Sequence, residues 1–201
     1  MSHVLFRGVG GTVTLPDPKT IMIDRSDGGQ LVVHPPRRVW DRTALEAGEL
    51  TQWHFLVAAA AGAMLDTLPQ LRGGCVNYWD AGNWALNAAA PPPGAKTGPA
   101  HRVLHLHVIG RSRQSGDSAW AWGESPFFPA FADRLAWSIG KAPLTAAECG
   151  VLVARMTHLL SVRYQVATAP TEVCARCRYP VPAGDLAASG ACAGCADGSA
   201  T

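Results

Sequence analysis

Val103-Leu104-His105-Leu106-His107-Val108-Ile109-Gly110-Arg111 is the stretch on which the reading of this chain turns. Leu104, Leu106 and Val108 alternate with His105 and His107, and an extended strand sends every second side chain to one face. The spacing predicts a half-buried strand with two imidazoles projecting together, opposite an aliphatic face. Such a pair suits a metal site, or a nucleophile and a proton donor at a phosphoryl group.

Upstream, Val4-Leu5-Phe6 and Thr12-Val13-Thr14 are short β-like runs broken by Gly10-Gly11 and Pro16-Asp17-Pro18. Thr20 to Asp24 reads as a strand, Asp24 to Gly29 as a turn, and Gln30 to His34 as a second strand ended by Pro35-Pro36. Two strands flanking one short turn predict an antiparallel hairpin. Apolar residues at helical spacing predict a long helix from about Ala47 to Leu68, closed by Pro69 and Gly73-Gly74; His54 within it is read as a surface or core histidine. Cys75 to Trp79 is a further strand, Asp80 to Asn83 a turn, and the Pro- and Gly-rich segment from Ala88 to Ala100 an irregular insert. Asp133 to Ile139 reads as a short helix. A second clear helix runs from Thr145 to about Arg163, with Thr145 and Glu148 at capping-box spacing. The expected fold class is α+β: an antiparallel sheet of about five strands, with the long helix and the C-terminal helix on one face and the site on the other. The expected division is a main domain over 1–167 and a small tail over 168–201.

The tail has too few apolar residues for a core. Its order is expected from Cys174-x-x-Cys177 and Cys192-x-x-Cys195, two pairs separated by 14 residues. Each turn brings two thiolates together, and two turns complete a four-thiolate site for structural zinc, so metal binding and folding should be one event. Redox pairs are the alternative reading. Cys75 and Cys149 read as core residues.

Composition bounds the rest. The 201 residues suffice for one core-bearing domain and an appendage; 48% are hydrophobic and 16% charged, which indicates a globular chain. A net charge of +2 argues against a nucleic-acid surface. No apolar run approaches the roughly 20 residues that span a bilayer, and no signal-peptide pattern opens the chain. The expectation is therefore a protein without a membrane partner, located in the cytoplasm, whose reducing conditions also suit free thiolates.

Three segments together resemble the histidine triad superfamily of nucleotide hydrolases and transferases, over roughly Thr20 to Leu160. Gly28-Gly29-Gln30-Leu31-Val32-Val33-His34-Pro35-Pro36-Arg37-Arg38-Val39 is similar to that family's hairpin strand, and Leu45-x-x-x-Glu49-Leu50 to the start of its long helix. Asn77-x-x-Asp80-Ala81-Gly82-Asn83 followed by Val103-x-His105-x-His107-Val108-Ile109-Gly110-Arg111 resembles its phosphate turn and histidine strand. The resemblance implies attack by a histidine on the α-phosphorus of a nucleotide-derived substrate, such as a dinucleoside polyphosphate, a nucleoside phosphoramidate or a nucleotide sugar. A nucleotidyl-histidine intermediate then passes to water or another acceptor. It makes His105 the nucleophile and His107 the group that binds or protonates phosphate oxygens, with a register shifted to His107 as the alternative. It implies Asp24 as a ribose-hydroxyl acceptor, Asn77 and Asn83 as polar contacts near the phosphates, and Arg111 or Arg113 as positive charge at the leaving group. It also allows a homodimer. Val103 stands where the family carries its first histidine, so this is a two-histidine variant, and His101 is a candidate replacement. Gln30 and Arg38 stand where the hairpin commonly has histidines. Trp120 to Pro129 reads either as a core aromatic cluster or as a wall against the base. A non-catalytic nucleotide-binding adaptor that docks through its zinc ribbon is the second functional reading, and a metal enzyme using His105 and His107 as ligands the third.

Overall fold

Strand formation at the centre of the chain follows the alternation in the sequence. In the computed structural model, which describes residues 3–17, 20–80 and 82–196, five strands form one antiparallel sheet. In chain order, β1 is Val4–Gly8, β2 Gly11–Thr14, β3 Gln30–His34, β4 Cys75–Trp79 and β5 Leu106–Arg111. Their spatial order is β1-β2-β3-β5-β4, so β5 is an inner strand hydrogen-bonded on both sides. Val32 and Trp79 both lie opposite His107. Ala81 of the expected phosphate turn, Pro18 and residues 197–201 of the tail lie outside the described residues.

The long helix α1 spans Ala47–Thr67, and its Glu46–Glu49 capping box satisfies free N–H groups of its first turn. The insert after β4 is irregular, as its Pro and Gly content predicts, except for one helical turn, α2 (Gly98–His101). A short helix α3 occupies Arg134–Ser138, and α4 occupies Ala146–Arg163, opened by the Thr145–Glu148 capping box. Trp53, Leu56, Ala60 and Met64 of α1 and Leu152, Val153, Met156 and Leu160 of α4 are buried against Leu31, Val33, Leu106 and Val108 of the sheet. Cys149 belongs to this core, and burial, with the charge of Glu148, pushes its thiol up to about 12. Cys75 is half-buried. Both helices thus cover one sheet face and leave the histidine face to other segments.

Two expectations need correction. Thr20 to Asp24 is not a strand and makes no hairpin with β3, whose ladder partners are β2 and β5. Ile21, Met22 and Ile23 are buried, but the hydrogen bonds of the run go elsewhere. Ile23 N–H meets the side chain of Gln30, and Asp24 caps a 3-10 turn over Arg25–Asp27. The segment is laid tightly on β5: Gly28 has φ +131°, and a Cβ on Gly110 would meet the Gly28 carbonyl oxygen at 2.2 Å. The second correction is the start of the histidine strand. Ladder pairing begins at Leu106, with Leu104 N–H bound instead to the Val39 carbonyl at 2.8 Å.

The tail forms a two-stranded ribbon of β6 (Thr171–Val173) and β7 (Pro180–Pro182), followed by a turn of helix, α5 (Ala193–Ala196). The ribbon is fastened to the main body. Tyr179 Oη donates to the Leu144 carbonyl at 2.9 Å, its ring stacks on His3, and Arg7 pairs with Asp185 at 3.1 Å. No helix among the described residues is long and apolar enough to cross a membrane.

Candidate active site and candidate metal centre

The sheet register places Gln30, Val32 and His34 of β3, His107 and Ile109 of β5, and Asn77 and Trp79 of β4 on the face away from α1 and α4. Behind His107 this face is closed by Ile23, Ile109, Trp120 and Phe128. Trp120 is buried with its indole N–H on the Gly110 carbonyl at 3.0 Å, and Phe128 stacks on Trp79 with centroids 4.1 Å apart. This part of the Trp120–Pro129 stretch is therefore a core cluster that backs the site wall. Phe127 is exposed.

The histidines are ordered by a chain of hydrogen bonds whose direction can be deduced. Ile23 N–H donates to Gln30 Oε1 at 3.1 Å, which turns Gln30 Nε2 toward His107 Nδ1 at 2.7 Å. An amide nitrogen donates, so His107 Nδ1 accepts and the ring proton sits on Nε2. His107 Nε2 lies 3.2 Å from His105 Nε2, and His105 Nδ1 lies 2.8 Å from the Val103 carbonyl. A carbonyl only accepts, so His105 carries its proton on Nδ1. Its Nε2 is left unprotonated, receiving a hydrogen bond from His107. Each link in the chain from Ile23 to Val103 pairs one donor with one acceptor. His34 stands beside His105 with ring centroids 5.8 Å apart and contacts Thr14 Oγ1 at 3.3 Å.

The three rings sit on the wall of a cavity of about 470 Å³. Apolar surface from Leu15, Ile21, Val32, Trp79 and Trp84 makes up much of that wall. His101 also lines it, although its Nδ1 is turned to the Thr97 backbone. Among the described residues that line it there is no lysine or arginine. Burial, together with the neighbouring His105 and His34, pushes His107 down to about 3. Burial and His105 push His34 down to about 4. Both rings are therefore neutral at pH 7.

Of the residues expected at the site, the structure brings His105, His107 and Asn83 to the cavity. Asn77 shares the face but lies outside the cavity wall, and its Oδ1 is buried with no hydrogen-bond partner among the described residues. Asp24 and Arg111 do not reach the cavity, for local reasons. The Asp24 carboxylate accepts from Ser26 N–H, Ser26 Oγ and Ala142 N–H, and these bonds outweigh burial and hold its pKa below the ordinary carboxylate value. Arg111 is buried, donates to the carbonyls of Ala121 and Glu124, and lies over the Trp120 ring. Arg113 is held by the Gly73 carbonyl and Trp122. Sequence reasoning also missed His34. Its signal was present: Gln30, Val32 and His34 alternate on a strand, so a position sharing a face with Gln30 also faces the histidine pair.

The four tail cysteines converge. Their Sγ atoms all lie within 4.8 Å of one another, and Cys177 and Cys192 are 3.8 Å apart. That is the edge of a tetrahedron with metal–sulfur bonds of about 2.3 Å. Cys192 N–H also points at Cys174 Sγ at 3.3 Å. The cluster could hold a metal ion. It is the only such group of three or more ligating side chains among the described residues, so His105 and His107 have no third donor placed with them.

No family model matches the chain, and a comparison with curated proteins finds no significant relative.

Three outcomes follow from this geometry. Gln30→Leu leaves both the Ile23 N–H and His107 Nδ1 unpaired, and is expected to cost about 1–3 kcal/mol for each in urea unfolding. Lowered histidine pKa values mean that the unfolded chain binds protons near pH 6 that the folded chain refuses. Stability should therefore fall from pH 6.5 to 5 by up to about 1.4 kcal/mol per pH unit for each such ring, with a shallower slope in His107→Asn, read from melting curves. Metal analysis of the purified chain should find one transition-metal ion per molecule, lost in Cys174→Ser.

Proposed function

We propose that this chain is a nucleotidyl hydrolase or transferase of the histidine triad type, acting at the α-phosphorus of a nucleotide-derived substrate with His105 as nucleophile. The observation that carries this reading is the donor–acceptor order just described. Val103 holds the proton on His105 Nδ1 and so leaves the lone pair on Nε2, where it accepts from His107 Nε2–H and is released for attack when that N–H turns to a phosphate oxygen. In the first step a bond forms between His105 Nε2 and the α-phosphorus, and the bond from phosphorus to the leaving group breaks with its electron pair on the departing atom. His107 Nε2–H, 3.2 Å from the nucleophile, can donate to a phosphate oxygen of the same centre as charge builds there. Water or another acceptor then attacks the phosphorus from the side the leaving group vacated, and His105 departs as the neutral imidazole. The apolar cavity wall suits a base and ribose, and Asn83 offers a polar contact.

The resemblance in sequence and the five-stranded sheet with both helices on one face support the family assignment. In this reading the four-thiolate site takes zinc, which ties the ribbon together and takes no part in the reaction. A reduced thiolate site also agrees with a cytoplasmic location.

Intact-protein mass spectrometry after brief mixing with ATP, diadenosine tetraphosphate, adenosine phosphoramidate and UDP-glucose tests the proposal. Acid-labile addition of one nucleoside monophosphate is expected with at least one of these, absent in His105→Ala, whose turnover should drop by at least about 10³-fold. Nucleotide binding with neither adduct nor monophosphate release would replace this reading with the non-catalytic adaptor.

A further inference from the structure

Two imidazole nitrogens stand close together at the cavity wall. His105 Nε2 and His107 Nε2 are 3.2 Å apart, with their ring planes at 76°. A zinc ion bonded to imidazole nitrogen at about 2.1 Å in tetrahedral geometry holds two such atoms about 3.4 Å apart. The pair therefore has the bite of a chelate. A third imidazole, His34, lies beside His105 with centroids 5.8 Å apart and is neutral at pH 7. By spacing alone a metal ion could settle here, and an ion on His105 Nε2 would occupy the lone pair of that nitrogen.

Coordination also dictates where the protons sit. A neutral imidazole has one bare nitrogen, so a ring that binds metal through Nε2 carries its proton on Nδ1 and needs an acceptor there. His105 meets that condition, because its Nδ1 donates to the Val103 carbonyl at 2.8 Å. His107 does not. Its Nδ1 faces the Gln30 amide nitrogen at 2.7 Å, which donates, so the ring proton occupies Nε2, where the ion would bind. Moving that proton to Nδ1 sets one N–H against another. Turning the amide over only passes the clash along, since its NH2 group would then face Ile23 N–H, which now donates to Gln30 Oε1 at 3.1 Å. The Ile23 donor belongs to the backbone and has no second form. Gln30 and His107 are both buried, so solvent relieves neither clash.

We infer that Gln30, fixed by Ile23, is a positioning residue that bars transition-metal ions from the His105–His107 pair. The inference goes beyond the nucleotidyl-transfer reading, because it stands on hydrogen-bond order and holds whatever His105 attacks. The chain then has two sets of converging metal-type donors with opposite designs. Four thiolates converge with nothing to stop an ion, whereas of two imidazoles one is held in the tautomer that refuses it. A nucleophilic nitrogen is thereby kept free of metal in a chain whose tail gathers metal ligands. Gln30→Glu should reverse the arrangement. One carboxylate oxygen would accept from Ile23 N–H and the other from His107 Nδ1–H, which leaves a bare Nε2 on both histidines. A carboxylate behind a ligating histidine is the usual support of a metal site.

Two measurements on the full chain decide it, and neither depends on turnover. The first is calorimetric titration with zinc at neutral pH. Wild type and His107→Ala should take up the same number of ions. Gln30→Glu should bind one more, at least about tenfold more tightly than any such binding in wild type, and should lose it when His107→Ala is added. The second needs no variant: imidazole nitrogen-15 NMR of wild type should show His107 protonated on Nε2 and bare on Nδ1, unchanged by excess zinc. A zinc ion in wild type that disappears in His107→Ala, equal zinc uptake by wild type and Gln30→Glu, or a His107 proton found on Nδ1 overturns the inference.

Discussion

The hydrogen bond from the Gln30 amide to His107 Nδ1, 2.7 Å long and buried, is the constraint on which the histidine site depends. It is directional only because Ile23 N–H occupies the other end of the amide. With that end fixed, one proton position follows for His107 and then one for His105. Remove the Ile23 contact and the amide could reverse, presenting an oxygen to His107 and inverting every bond down to Val103. The loop that carries Ile23 therefore matters as much as the histidines. Its close approach to β5 requires Gly28 and Gly110, where side chains would collide with backbone.

That loop is in turn pinned from outside the sheet. Arg25 grips Glu148 at the start of α4 through two nitrogens, and Gln70 adds a third bond to the same carboxylate. Burial would raise the pKa of Glu148, but these bonds and those from Thr145 outweigh it and bring it down to about 2. Asp24 receives Ala142 N–H, and Leu144 packs against Gly29, leaving no space for a Cβ there. Leu144 is also the residue whose carbonyl takes Tyr179 of the ribbon. The cysteine cluster, the start of α4 and the Asp24–Gly29 loop are thus consecutive contacts in one structure. An ion holding the cysteines would stiffen the ribbon that carries Tyr179, and the ribbon braces the segment preceding α4.

Most of the fold is legible in the sequence because its determinants are local or periodic. The 3.6-residue spacing and capping boxes mark α1 and α4, the alternation marks β3 and β5, and the paired cysteines mark the ribbon. Ile21 to Ile23 misleads because burial and strand pairing usually coincide, whereas here one side chain, Gln30, supplies what a neighbouring strand would have supplied. The site is half legible. His105 and His107 announce themselves by spacing. Asp24 and Arg111 were placed by resemblance, and each is absorbed by its surroundings. Asp24-Arg25-Ser26 has the makings of a local cap, and Arg111 is followed by the aromatic Trp120 and by the Ala121 and Glu124 carbonyls it binds, ten and thirteen residues on. What long-range packing does with a charged side chain is not written in its immediate neighbours.

Val103, at the position where the resembled family carries a histidine, has a physical reading in the same terms. The contact that position 103 makes to His105 is through its backbone carbonyl, which any residue supplies. What the valine forfeits is an imidazole side chain, and the sheet places another one, His34, on the adjacent strand within 5.8 Å of His105. His34 cannot substitute as a charge, because burial and the neighbouring ring keep it neutral until about pH 4. It remains a polar ring between the apolar cavity and the cleft that contains Arg38. The orientation of His105 is thus assigned to the main chain, and the ring beside it is kept neutral. In a cavity this apolar the division is economical. Neutral rings cost little to bury, whereas the permanently charged Arg38 stays where solvent can reach it.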